Sequence, residues 1–180
     1  MRVISGKARG TSLYSLEGNH TRPTTDRVKE SMFSIINFHI PDGVVLDLFS
    51  GSGALGIESL SRGARKCYFV ENSRAAAEIV KKNIDKTKCN ENAVLKIVDY
   101  KDFLNSADEK FDVIFLDPPY NKKMCDEAMK IIYKRNLLND DGIIVCETEF
   151  PEVITTDFTK KKDYKYGNTK LSVYVKDGLN

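Results

Sequence analysis

Between Val44 and Glu147 the chain alternates short apolar runs with longer segments at helical period, and few folds accommodate that pattern. Val44 to Phe49, Lys66 to Glu71, Ala93 to Asp99, Phe111 to Asp117 and Gly142 to Glu147 read as strands. Ala54 to Arg62, Ser73 to about Lys88, and about Lys123 to Lys134 read as helices, with a short helical turn around Lys101 to Asn105. This alternation predicts a parallel sheet with helices on both faces. The tail changes period: Lys160 to Tyr166, Gly167-Asn168 and Thr169 to Lys176 read as a closing antiparallel hairpin. At 180 residues the whole is expected to be a single domain, 1–180.

Ahead of this core, residues 1–17 read as a small β-hairpin extension, with Arg2-Val3-Ile4 and Ser12-Leu13-Tyr14 alternating around Gly6 and Gly10. Residues 18–40 read as a loop plus helix covering the binding site. Thr24 or Thr25 would cap that helix, which runs to about Phe38 with Val28, Met32, Ile35 and Ile36 on one face.

Composition removes several classes. Hydrophobic residues are 41%, charged residues 30%, and net charge is only +2, so any nucleic-acid face must come from local clustering. Cys67, Cys89, Cys125 and Cys146 have no CxxC spacing and read as reduced thiols of a cytoplasmic protein. The first residues carry no signal-peptide pattern, no apolar run approaches ~18 residues, and two histidines without metal-ligand spacing argue against a metal.

The chemistry concentrates at strand ends. Asp47-Leu48-Phe49-Ser50-Gly51-Ser52-Gly53-Ala54-Leu55-Gly56 places a GxGxxG loop between a strand and a helix. Glu71, ~20 residues past Gly51, closes the second strand, where an acid can hold two ribose hydroxyls. That much fits a nicotinamide enzyme equally well. Asp47 before the loop shifts the reading, because a carboxylate there suits an ammonium and a sulfonium better than a pyrophosphate. Asp99, closing the third strand, is placed to accept from an adenine amino group, although it could also cap the next turn.

Asp117-Pro118-Pro119-Tyr120 closes the fourth strand. Asp117 and the Pro118 carbonyl offer two acceptors for one exocyclic amino group, and Tyr120 offers a ring face for stacking. Two acceptors on one amino group draw its lone pair out of conjugation and aim it at an electrophile. The implied chemistry is alkylation of a base nitrogen.

These residues carry a family resemblance. With Arg2-Val3-Ile4-Ser5-Gly6-Lys7-Ala8-Arg9-Gly10, Arg22-Pro23-Thr24-Thr25-Asp26-Arg27-Val28-Lys29-Glu30, Asp47 through Gly63, Glu71-Asn72, Asp117 through Tyr120 and Tyr166-Gly167, the chain resembles the RsmD family over nearly its full length. Those bacterial enzymes methylate N2 of a guanine in 16S ribosomal RNA. The resemblance implies a class I S-adenosylmethionine-dependent methyltransferase fold, α/β and Rossmann-like, with a seven-stranded, mostly parallel sheet and an antiparallel C-terminal hairpin. It implies a cytoplasmic enzyme acting on the 30S subunit or an assembly intermediate; small size and a polar surface favour a monomer.

By the same resemblance Asp47, Phe49, Ser50, Gly51, Gly53, Glu71, Asn72, Asp99, Tyr100 and Thr24 would bind the donor S-adenosylmethionine. Asp117, Pro118, Pro119 and Tyr120 would hold the guanine for direct attack on the methyl carbon, with no metal and no covalent enzyme intermediate. Arg2, Lys7, Arg9, Arg22, Arg27 and Lys122 would contact RNA phosphates. Where other members carry Asn-Ala after the third strand, this chain has Asp99-Tyr100. Three rivals remain: a DNA or RNA adenine-N6 or cytosine-N4 methyltransferase, which shares the Asp117–Tyr120 motif; a nicotinamide oxidoreductase, which leaves that motif unexplained; and a non-catalytic ribosome assembly factor.

Overall fold

The computed structural model describes residues 1–15, 26–119, 122–149, 151 and 153–177. Five helices and seven strands follow in the order α1 (Asp26–Ile35), β1 (Val44–Asp47), α2 (Ala54–Ser61), β2 (Lys66–Val70), α3 (Arg74–Thr87), β3 (Ala93–Lys96), α4 (Tyr100–Ser106), β4 (Phe111–Leu116), α5 (Lys122–Lys134), β5 (Leu138–Glu149), β6 (Thr159–Tyr166) and β7 (Thr169–Val175). One sheet joins the strands in the order β3-β2-β1-β4-β5-β7-β6. β1 to β5 run parallel and β7 pairs antiparallel with β5 and β6. Among the described residues no helix is long and apolar enough to cross a membrane.

Central strands of a parallel sheet are covered on both faces, so they read as unbroken apolar runs. All four residues of β1 are buried. Alternate residues serve two cores. Val45, Val113, Phe115, Val145 and Val173 pack on the side carrying α1, α2 and α3. Leu46, Ile114, Leu116, Ile144 and Tyr174 pack on the side carrying α4 and α5. Gly56 permits α2 to lie close on β2: an added Cβ would stand 2.3 Å from the Phe69 ring and 2.7 Å from Cys67 Sγ. The four cysteines are free and buried.

Several expected boundaries move. α1 ends at Ile35 and is followed by a 3-10 turn at Asn37–His39 rather than continuing to Phe38. The capping candidates Thr24 and Thr25 lie outside the described residues. β5 starts at Leu138, four residues before Gly142, because Leu138 already pairs with Phe111 across a register shift in β4. The turn at Lys101–Asn105 is a helix, α4, and β3 stops at Lys96 instead of reaching Asp99.

Within residues 1–15 the expected hairpin is a short antiparallel pairing: Arg2 bridges Ser12, Val3 N–H donates to the Thr11 carbonyl at 2.9 Å, Leu13 N–H to the Met1 carbonyl at 2.9 Å and Gly10 N–H to the Val3 carbonyl at 2.8 Å. Other backbone donors of the arm go to α2. The N–H groups of Ile4 and Ser5 donate to the Glu58 carboxylate at 2.8 and 3.0 Å, and that of Ala8 donates to Ser61 Oγ at 2.9 Å. The arm is therefore paired with itself and also stapled to α2. Glu58 is itself buried against Lys29 at 3.1 Å and Arg62 at 2.8 Å.

Candidate active site at the carboxyl edge of the sheet

In an open α/β sheet the ligand crevice opens where the strand order reverses. Here the chain steps from β1 outward to β2 and β3, then returns to β4 on the other side of β1. The C-terminal ends of β1 and β4 flank that point, and they carry Asp47 and Asp117.

The glycine loop is built by backbone geometry. Gly51 and Gly53 adopt left-handed φ values of +54° and +77°, which a side chain would strain. A Cβ at Gly51 would meet nothing within 4 Å, so the loop faces open space there; one at Gly53 would press on Val80 and Phe69. Ser50 Oγ donates to the Asp47 carbonyl at 2.8 Å and closes the turn. Glu71, one residue past β2, accepts from Gly51 N–H at 2.9 Å and from Ser73 N–H at 2.8 Å. A carboxylate has about four lone-pair sites, so acceptor capacity remains for two hydroxyls. Asn72 is exposed beside it. This loop and acid fit a ribose-bearing donor.

Two residues expected on that donor have other partners. Asp99 is the N-cap of α4, with Oδ1 accepting from Lys101 N–H at 2.8 Å. β3 has already ended at Lys96, and the adenine contact expected of Asp99 must share the carboxylate with the cap. Tyr100 is buried, packs on Phe49 at 5.1 Å between ring centroids, and donates its hydroxyl to Glu127 at 2.7 Å. Burial and Glu127 both push its phenol well above the usual range. Phe49 and Tyr100 are thus a wall, and the Tyr100 hydroxyl faces α5.

Asp47 also differs from expectation. It is 2% exposed, and Oδ2 accepts from Gly56 N–H at 3.0 Å in the first turn of α2. The carboxyl lies beneath the loop rather than in the crevice. Burial pushes its pKa up to about 7, against the opposing pull of that N–H bond; Glu71 adds a further push upward.

Asp117 keeps part of its surface open, yet protein atoms surround its carboxyl closely enough that desolvation raises its pKa well above the usual range. Glu147 and then Asp47 push it further in the same direction. The register explains this. Leu116 pairs with Cys146, so Asp117, just past β4, and Glu147, near the end of β5, stand side by side. Asp47 pairs with Phe115, one pleat below Asp117. Strand alternation puts the three acids on the face that carries α2. Pro118 is partly exposed and Pro119 exposed at the same edge.

Glu147 was absent from the residues singled out by sequence; it was read only as the last residue of the fifth strand, which in the structure runs on to Glu149. Ile97 and Val98 were missed too. They follow β3 at 48% and 39% exposure, apolar surface beside the crevice, and their signal was an apolar pair continuing past the strand into a helix cap.

Of the residues expected to contact RNA, Lys7, Arg9 and Arg27 are exposed, and Arg2 is exposed while pairing with Asp26 at 2.9 Å. Lys122 opens α5. Thr24, Arg22, Tyr120 and the Lys122 side chain lie outside what is described.

Comparisons with known proteins establish the family and the fold. The family profile described as Conserved hypothetical protein 95 matches residues 1–175. YlbH of Bacillus subtilis is 40% identical over 185 residues, covering 99% of this chain and 100% of that one. Ribosomal RNA small subunit methyltransferase D of Haemophilus influenzae is 36% identical over 179 residues, covering 97% and 93%. The solved structure of Escherichia coli yhhF superposes with a TM-score of 0.87 at 27% identity, covering 99% of each chain. The chain belongs to this family, the RsmD family of methyltransferases that its sequence resembles, and has the class I S-adenosylmethionine-dependent methyltransferase fold.

Proposed function

We propose that this protein transfers a methyl group from S-adenosylmethionine to the exocyclic N2 of one guanine in 16S ribosomal RNA, within the small subunit or an assembly intermediate. The observation that carries the reading is the placement of Asp117 at the switch point, one strand from the glycine loop and beside Glu147. The family membership and the name of the Haemophilus influenzae relative support ribosomal RNA as the substrate class.

The donor, when bound, supplies a methyl group already activated by a sulfonium. The chain's own residues do the rest. Gly51 and Glu71 hold the ribose side, and Ile97 and Val98 give the adenine an apolar surface. Asp117, in its ionised form, accepts a hydrogen bond from the guanine amino group, with the Pro118 carbonyl as second acceptor. Desolvation makes that charge costly in the free protein; the positive charge developing on nitrogen offsets the cost during transfer. The guanine must leave its stack to reach this edge, which favours a loop nucleotide. Residues 18–40 cover the donor, and Arg2, Lys7, Arg9, Arg22, Arg27 and Lys122 bind phosphates.

The deciding experiment is transfer of labelled methyl to small subunits from a strain lacking this gene, with free ribosomal RNA and duplex DNA alongside. N2-methylguanosine in the subunit, abolished by Asp117→Ala, is the expected product. N6-methyladenine in DNA would replace this reading with a DNA methyltransferase. Donor binding without transfer would replace it with an assembly factor.

A further inference from the structure

Asn83, on α3, is fully buried. Its Oδ1 accepts from Tyr14 N–H at 2.7 Å, and its Nδ2 donates to the Tyr14 carbonyl at 3.0 Å and to the Ser52 carbonyl at 2.8 Å. Both amide hydrogens and the oxygen are engaged, so the side chain has no freedom to serve one partner without the other. Ser52 lies between Gly51 and Gly53 in the donor loop. Tyr14 belongs to the arm that carries Arg2, Lys7 and Arg9.

We propose that Asn83 is a positioning residue that couples donor binding to RNA engagement by the N-terminal arm. The inference rests on the function proposed above. The arm has two anchorages. Ile4, Ser5 and Ala8 are held by Glu58 and Ser61 on α2, behind the loop. Tyr14 is held by Asn83, and this anchorage also grips the loop. Ser52 stands between two left-handed glycines, with open space beside Gly51, so a ligand that settles on the loop bears directly on its peptide. A moving Ser52 carbonyl either loses a bond inside a buried site or carries the amide along, and the amide holds Tyr14 by two bonds. Leaving a buried polar group unpaired is the costlier course. The Tyr14 ring is half exposed, with Lys86 Nζ 4.2 Å from its centroid, so the far end of this link presents a cation and an aromatic face to solvent.

Coupling is reciprocal, so it can be read from either ligand. S-adenosylhomocysteine is titrated into the full-length protein alone and with small subunits lacking the modification. In the wild type the subunits are expected to tighten its binding roughly 5- to 10-fold. In Asn83→Leu each ligand alone should bind within about 2-fold of wild type, while the factor between them falls to about 1. An unchanged factor in the folded variant, or a factor of 1 in the wild type, overturns the proposal. Asn83→Leu leaves three backbone groups unpaired and could fail to fold, so a second measurement uses the wild type only. S-adenosylhomocysteine should slow hydrogen exchange at the Tyr14 amide about 5-fold or more; unchanged exchange overturns the link. If the wild type binds no S-adenosylhomocysteine or methylates no RNA, the parent reading fails instead. Those results are distinct from methylation with no coupling.

Discussion

Behind α2 the chain buries a carboxylate among cations and N–H groups; at the carboxyl edge of the sheet it crowds carboxylates beside one another. Glu58 has Lys29 at 3.1 Å, Arg62 at 2.8 Å and two backbone donors. Asp117 has Glu147 and Asp47 as its charged neighbours, and both push its pKa the same way as burial does. The first arrangement is what burial of charge requires for stability. The second lowers stability at neutral pH, and such perturbed groups gather where chemistry is done. The contrast separates scaffold from site without reference to any relative.

The largest expected effect lies on the scaffold side. Glu58→Gln leaves the fully buried Lys29 ammonium without its counter-charge and should cost about 3–5 kcal/mol in urea unfolding. Lys29→Met should cost clearly less, because Arg62 and the Ile4 and Ser5 N–H groups still satisfy Glu58. Equal losses for the two variants would break the claim that Glu58 is the hub.

Next comes the site. Asp117→Ala should slow methyl transfer about 100- to 1000-fold, roughly 3–4 kcal/mol, in single-turnover assays with donor affinity little changed. Asp117→Asn should unfold at higher urea than wild type at pH 8, because it removes a desolvated charge. A destabilised Asp117→Asn protein would erase the contrast with Glu58.

The pH dependence sharpens the same point. Folding raises Asp47 from 3.8 to about 7, so between those values the native state holds a proton that the unfolded chain has lost. Its contribution to stability is complete below about 4, falls as pH rises toward about 7, and is flat above, with a slope of up to about 1.4 kcal/mol per pH unit. Asp47→Asn should flatten that fall between pH 5 and 7 while still offering an oxygen to Gly56 N–H. Methyl transfer should run the other way. It needs Asp117 ionised, so the rate should drop on acidification at a higher pH than an ordinary carboxylate would give.

The smallest effects belong to the arm. Lys7→Ala and Arg9→Ala should each weaken subunit binding a few-fold and lower the salt slope by about 1. Both side chains are exposed, and melting temperature should not move.

Much of the architecture was legible because its signals are local. Period-2 runs and period-3.6 segments located the strands and helices of the core, and the acids at strand ends marked the crevice edge. The GxGxxG spacing located the turn between β1 and α2, where Gly51 and Gly53 adopt left-handed φ. What stayed hidden were roles that depend on partners distant in the chain. The hairpin of the arm was legible from the alternation around Gly6 and Gly10, but its anchorage to Glu58 and Ser61, some fifty residues away, was not. Asp99 read as a strand-end acid or as a cap, and only the structure places its carboxylate on the Lys101 N–H. Glu147 was passed over because its significance comes from standing beside Asp117, and only the β4–β5 register says so.

The sequence by itself determined the order of strands and helices, the glycine loop and the acids at the strand ends, since each follows from a repeat or dihedral requirement spanning a few residues. Tertiary structure alone decided the state of those acids. Asp47 lies under the loop at a pKa near 7, Asp117 is crowded by like charge, and Asn83 ties arm to loop. The reason is that desolvation and hydrogen-bond pairing depend on which distant segments meet, and no local pattern carries that information.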